Sequence, residues 1–466
     1  MAPSFLQSLI CLLAGITLIV VLTARYKIHA FFALLISCLV VGLGVGLSLD
    51  NVISIAKDGF GNIMKSLGFI IVLGTTLGVV LEYTGSTRVM ANYILKKVGE
   101  RRASLAMSLT GFIVGMPIFC DSGFIVLSGL NKSLADRSRT PMVIMSVSLA
   151  TGLYSIHCLI PPHPGAAAAA GAIGVEYGRL ILLGILVAVP AAVAGHVWAR
   201  YVGRGTELVG ESGIREGAKP AGESMTRSGA ASTDSGRGAG DGAGKDPGVF
   251  LSFLPVIVPI ALIAFKSFFS IEHTQNIPGL SILLSLGDPA VALFIGTILA
   301  FASGRQWTRG PVSALLGDAV EKAGSILVII GAGGAFGAIL AATKMGDRLS
   351  DTLPLSSLGI LFPFLLTAVL KTAQGSSTVA IITAASIVKP LMPALGLATG
   401  NGPLLCVLSM GAGSMMLSHA NDAYFWVITR FSGLDMKTML KVYTVATGFM
   451  GVVAYAMVYI LSRILA

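Results

Sequence analysis

Near the C-terminal end of the chain, Ser418, His419, Asn421 and Asp422 lie inside a run, Gly411–Arg430, that otherwise reads as an apolar membrane segment. Facing lipid, each unsatisfied polar group would cost on the order of several kcal/mol. Such groups are tolerated in a protein-lined, wet cavity, and there they mark functional positions. The helix is therefore expected to break at this point and to bind a small polar solute. A second cluster, Lys371-Thr372-Ala373-Gln374-Gly375-Ser376-Ser377-Thr378, combines four hydroxyls, a glycine and a lysine in another apolar setting. A helix starting at Ser376 would aim unpaired backbone N–H groups at this cluster, an arrangement that attracts anions. Lys371 is placed to neutralise a carboxylate or to pair with Asp422. Asp121, Ser122 and Gly123 offer an equivalent tip in the first half of the chain.

Asp121 and Asp422 are the clear intramembrane carboxylates, one in each half. His157, His163 and His419 titrate near neutral pH and fall at the polar breaks. Asp121, Asp422, His157 and His419 are thus expected to carry a coupling proton. Ser122, Gly123, His163, Lys371, Thr372, Gln374, Gly375, Ser376, Ser377, Thr378 and Asn421 are expected to meet the solute. The competing structural readings are specific: small and hydroxylated residues pack membrane helices, and a lysine can snorkel to the interface. Tyr424 and Trp426 are expected to pack. No metal site or cofactor is expected, because the five cysteines lack metal-ligand spacing.

The elements that must position these residues are membrane helices. Mean hydropathy is +0.85, 54% of residues are hydrophobic and 12% are charged, against about 25% charged in soluble proteins. Runs of about 20 apolar residues recur throughout. The net charge of +10 fits basic cytoplasmic loops beside an anionic leaflet and not nucleic-acid binding. Phe5–Thr23 reads as a first span with no cleavage site. Spans follow at Ala30–Leu49 and, after a polar stretch containing Lys57, Asp58 and Lys65, at Ser66–Leu81. Arg25, Lys27 and the cluster Lys96, Lys97, Arg101 and Arg102 mark the cytoplasmic side.

Ala103–Leu130 is apolar, polar at Cys120–Gly123 and apolar again, with basic residues on both flanks. This predicts a re-entrant hairpin entering from the cytoplasm. Pro141–Ile160 then crosses and breaks at H-C-L-I-P-P-H-P-G, His157–Gly165, whose prolines cannot continue a helix. Residues 203–247 are rich in Gly, Ser, Ala and Glu and are expected to form a disordered cytoplasmic linker between transmembrane halves 1–202 and 248–466. The second half repeats the order: a span at Ile326–Ala341, a hairpin at Leu358–Ile387 entering from outside, and the break around Asp422. Matched features, Gly78/Gly337, Asp121/Gln374 and His163/Asn421, recur at nearly constant separation. The expected fold is an all-α polytopic membrane protein built as an inverted-topology repeat, with two re-entrant hairpins and two broken transmembrane helices, as in secondary transporters.

G-M-P-I-F-C-D-S-G-F (115–124), H-C-L-I-P-P-H-P-G (157–165), K-T-A-Q-G-S-S-T-V-A (371–380) and S-H-A-N-D-A-Y-F-W (418–426) resemble the gluconate:proton symporter (GntP) family of bacterial permeases in order and spacing. The resemblance implies an inner-membrane carrier for gluconate or a related small carboxylate, driven by protons, with ion-transporter-like architecture and a homodimeric assembly. Sodium coupling, or another acid such as D-serine, glycerate or lactate, stays open at this point. An intramembrane hydrolase is disfavoured, since no G-x-S-x-G, paired G-x-G-D or H-E-x-x-H occurs. A channel is disfavoured by hairpins that stop at mid-membrane.

Overall fold

The computed structural model describes residues 5–210, 247–271, 284–304, 307, 309–343 and 355–465. The regular structure among them is helical, and six helices are long and apolar enough to cross a membrane. In chain order the helices are α1 (Phe5–Val20), α2 (Ala30–Gly44), α3 (Leu49–Tyr83), α4 (Ser86–Val98), α5 (Ala103–Val114), α6 (Cys120–Ser138), α7 (Met142–Leu159), α8 (Pro164–Ile173) and α9 (Tyr177–Gly210). The second half contains α10 (Val249–Ile271), α11 (Pro289–Ser303), α12 (Arg309–Ala342), α13 (Leu361–Gln374), α14 (Ser377–Val388), α15 (Gly402–Ser414) and α16 (Ala423–Ser432). It closes with α17 (Met436–Ile464), which contains one π-helical turn.

Among the described helices, the hairpin arms and the broken helices recur in the same order in both halves. The starts of α6 and α14, at Cys120 and Ser377, lie 257 residues apart, and those of α7 and α15, at Met142 and Gly402, lie 260 apart. This spacing corrects one expected pairing. Asp121 lies in the first turn of its hairpin's second arm, whereas Gln374 ends the first arm of the other. The positional equivalent of Asp121 is therefore Thr378.

The third span differs from expectation as well. The polar stretch before Ser66 is not a loop but the first half of α3, a continuous helix of 35 residues. Val52, Gly59, Ile63 and Leu67 form its buried stripe, while Lys57, Asp58 and Lys65 face outward. A helical period with charges confined to one face makes such a stretch amphipathic. Ser48 caps it by accepting from Asn51 N at 3.4 Å. α12 is extended in the same way, to 34 residues. α9 runs to Gly210, past the expected linker start at 203; residues 211–246 lie outside the described ones.

α3 and α12 form the most extensive helix pair. A methyl group added at Gly59 would come within 2.5 Å of the Gly334 carbonyl oxygen, so only glycine admits this approach. The hairpin arms are held with equal closeness. A Cβ at Gly152 of α7 would lie 2.2 Å from Ser108 O of α5, and one at Gly413 of α15 would lie 2.3 Å from Phe364 O of α13.

Polar contacts tie the ends together. Arg179 Nη2 donates to Asn401 Oδ1 at 2.5 Å, and Asn401 Nδ2 donates to Leu465 O at 2.9 Å. Arg179, Asn401 and the end of α17 therefore share one end of the molecule. At the other end, Tyr83 stacks on Trp307 with ring centroids 5.6 Å apart.

Candidate functional site

Two helix hairpins, α5–α6 and α13–α14, meet two interrupted helices, α7–α8 and α15–α16. The interruptions have local causes. At the first, Pro161, Pro162 and Pro164 withhold backbone donors, and His163 becomes the N-cap of α8. At the second, Asp422 caps α16 by accepting from Tyr424 N at 3.0 Å. The hairpin tips turn in parallel fashion. Phe119 precedes α6 with no side-chain cap, while Ser376 caps α14 by accepting from Val379 N at 3.3 Å. The contacts then cross between halves: α14 packs on α8, and α6 packs on α16.

Between these four elements lies a cavity of about 610 Å³. Asp121, Ser122, His157, Gln374, Gly375, Ser376, Ser377, Thr378, Asn421 and Asp422, all singled out by sequence, line it. The first turns of α6 and α14 open onto it from opposite hairpins, and such turns present unpaired backbone N–H groups. Four of the lining side chains carry buried polar atoms with hydrogen-bonding capacity left unused: Asp121 Oδ1, His157 Nδ1, Asn421 Oδ1 and both amide atoms of Gln374. They account for five of the ten such atoms among the described residues, so the unmet polarity is concentrated here. Buried polar groups are otherwise nearly always paired.

Other expected residues are placed behind the cavity wall. Lys371 is fully buried, and its Nζ donates to Asp422 Oδ2 at 2.6 Å and to Gly375 O at 2.5 Å. The ammonium also lies 6.0 Å from the Tyr154 ring centroid. Ser418 Oγ donates to the same Asp422 oxygen at 2.5 Å. Lys371 thus neutralises Asp422 and ties the second hairpin to the second break; it does not face the cavity.

Thr372 Oγ1 donates to Ala368 O of its own helix at 2.8 Å, so its hydroxyl is used internally. Its carbonyl accepts from Asn421 Nδ2 at 2.8 Å and lies 3.1 Å from His419 Nε2. Those contacts make His419 a strap on the hairpin. His163 Nε2 lies 2.7 Å from Gly115 O, tying the first hairpin to the first break as Lys371 ties the second. Gly123 is a packing residue, because a Cβ there would lie 2.8 Å from the Leu153 side chain. Thr378 Oγ1 stands 3.4 Å from His157 Nε2, a contact between halves.

Several contributors had no role assigned from sequence. Tyr154 is buried and donates its hydroxyl to Ser414 O at 3.0 Å; nothing in its apolar surroundings flags it. Tyr424, expected to pack, lines the cavity as well as donating to Ala150 O at 3.3 Å. Lys322 and Ser325 of α12 extend the cavity toward the end that carries Tyr83 and Trp307.

The geometry defines a class: a polytopic helical transporter with paired hairpins around a central polar cavity. The chain belongs to the family described as GntP family permease, which matches residues 7–464. It is 31% identical over 459 residues to the inner membrane permease YgbN of Escherichia coli K12, covering 95% of this chain and 96% of that one. It is 31% identical over 452 residues to a gluconate permease of Pseudomonas aeruginosa, covering 96% of both. With the D-serine transporter DsdX of Escherichia coli K12 it shares 28% identity over 464 residues, covering 97% of this chain and 98% of that one. The fold is also that of the Alcanivorax borkumensis YdaH transporter, with a TM-score of 0.63 at 14% identity over 93% of this chain and 98% of that one. The family is one of permeases and not of enzymes.

Proposed function

We propose that this chain is a secondary active carrier of the bacterial inner membrane that imports gluconate or a related small hydroxycarboxylate together with protons. The observation that carries this reading is the cavity wall. Two helix N-termini favour an anion, and five unused polar atoms on Asp121, His157, Gln374 and Asn421 suit a hydroxylated solute. The substrate carboxylate would sit between the first turns of α6 and α14 with Ser122, Ser376, Ser377 and Thr378. Its hydroxyls would meet Gln374 and Asn421. The names of relatives, for gluconate and for D-serine, support a small carboxylate as cargo.

Proton coupling follows from charge. An anionic substrate beside an ionised Asp121 would place two negative charges in one water-poor cavity, and like charges there repel strongly. A proton on Asp121 removes that repulsion, so substrate and proton enter together. Sodium coupling is less well supported at the second hairpin. The Lys371 ammonium already occupies the Gly375 carbonyl and the Asp422 carboxylate, the oxygen ligands a hard cation would use there. The two hairpins enter the membrane from opposite sides in this reading, and the cavity opens past Ser325 and Lys322 toward the cytoplasm.

Substrate class is tested by exchange in proteoliposomes loaded with labelled gluconate. External unlabelled gluconate and L-idonate are expected to drive label out, with D-serine weaker. Exchange driven by D-serine alone would reassign the cargo, and no exchange in folded protein would remove small carboxylates from consideration.

A further inference from the structure

A second polar concavity lies at the base of the first hairpin. It measures about 590 Å³ and is lined by Arg101, Arg102, Arg139 and Arg200, with Ser104 and Thr140 between them. Three separate stretches bring these arginines together: the turn before α5, the α6–α7 connection and the C-terminal part of α9. No carboxylate lines the space, and none of the four guanidinium groups has an ion-pair partner among the described residues. The adjoining concavity differs, since Asp136 joins Lys132, Arg139 and Arg430 there. The first turn of α5, at Ser104 and Leu105, opens onto the arginine pocket and adds helix N-terminal polarity of the anion-binding sign. Arg139, at the end of α6 with a left-handed backbone of φ 49°, lines both concavities.

We propose that this pocket binds the phosphate group of an anionic ligand, supplied by a phospholipid headgroup at the cytoplasmic leaflet. Guanidinium groups match phosphate oxygens in a planar, two-pronged geometry. Basic pockets between membrane helices on the cytoplasmic side are suited to such headgroups. A phosphate bridging Arg101 or Arg102, Arg139 and Arg200 would join both ends of the α5–α6 hairpin to α9. It would thereby fix the base of the hairpin whose tip forms one side of the transport cavity. A soluble phosphate compound offers the same chemistry, and the test separates the two sources.

The full-length protein, delipidated in detergent, would be titrated with phosphatidylglycerol, phosphatidylcholine and inorganic phosphate, with binding read by native mass spectrometry and by melting temperature. Wild type is expected to bind phosphatidylglycerol in preference to phosphatidylcholine. Arg139→Gln/Arg200→Gln is expected to weaken that binding roughly twenty-five-fold, taking about a fivefold loss per arginine. Its melting temperature in phosphatidylcholine should match wild type. Arg137→Gln, a change at an exposed arginine outside the pocket, should bind as wild type does. Inorganic phosphate binding that the double variant loses, without lipid preference, would keep the anion site and overturn the lipid source. Equal binding of both lipids with no phosphate binding, or unchanged binding in the double variant, would overturn the site itself.

Discussion

Lys371 and Asp422 form a buried pair, with side chains 0% and 9% exposed. Their arrangement changes what a substitution should do. From sequence alone, Asp422→Asn reads as a functional change that leaves folding intact. In the structure it would strand a buried ammonium, and breaking such a pair costs about 3–5 kcal/mol. Asp422→Asn and Lys371→Met are therefore each expected to lower the unfolding midpoint and abolish uptake. The double variant Lys371→Met/Asp422→Leu should recover most of the stability, short of about 1 kcal/mol for the lost helix cap, without recovering transport. Recovery of transport would make the pair purely structural. Asp121 is not hydrogen-bonded to this pair, though it lies within its electrostatic reach, and one of its carboxylate oxygens is buried without a partner. Asp121→Asn fixes the group in its neutral form. It should keep gluconate exchange but lose accumulation against a gradient, and exchange should no longer fall as pH rises. Proton-driven accumulation equal to wild type in that variant would place the coupling proton elsewhere.

At the scale of elements, the hairpin tips and helix breaks act as paired latches. His163 to Gly115 O closes the first, and Lys371 with Asp422 and Gly375 O closes the second. Gly375 makes the second latch possible. Its φ is +83°, and a Cβ there would lie 2.1 Å from the Asn421 carbonyl oxygen. Gly375→Ala should separate tip from break, lower thermal stability and eliminate gluconate binding; unaltered binding by calorimetry would contradict this role. The breaks were legible in sequence because prolines at 161, 162 and 164, and polar residues at 418–422, cannot continue a lipid-facing helix. The hairpin tips were legible for the same reason. The side-chain directions were not. Lys371 and Gln374 are three residues apart on one helix, yet the first turns to Asp422 and the second to the cavity. Sequence spacing cannot distinguish these when both surroundings are protein. The full length of α3 was hidden because Lys57, Asp58 and Lys65 resemble a loop until their shared face is seen.

For the whole molecule, the two-fold repeat places one hairpin and one broken helix from each half around a single cavity. Crossed packing of α14 on α8 and α6 on α16 means that neither half closes the site alone. A rocking of one half against the other would expose the cavity alternately to the two sides, the behaviour expected of inverted repeats. In this conformation the cavity extends to Ser325 and Lys322 of α12, the side that the proposed topology makes cytoplasmic. We propose that carboxylate entry requires a proton and not sodium. That requirement is tested most directly by uptake of radiolabelled gluconate into proteoliposomes, with an inward proton gradient imposed and sodium absent. The account predicts saturable accumulation above the external concentration, growing as external pH falls and collapsing with a protonophore. Accumulation that requires added sodium, or that survives the protonophore unchanged, would contradict it.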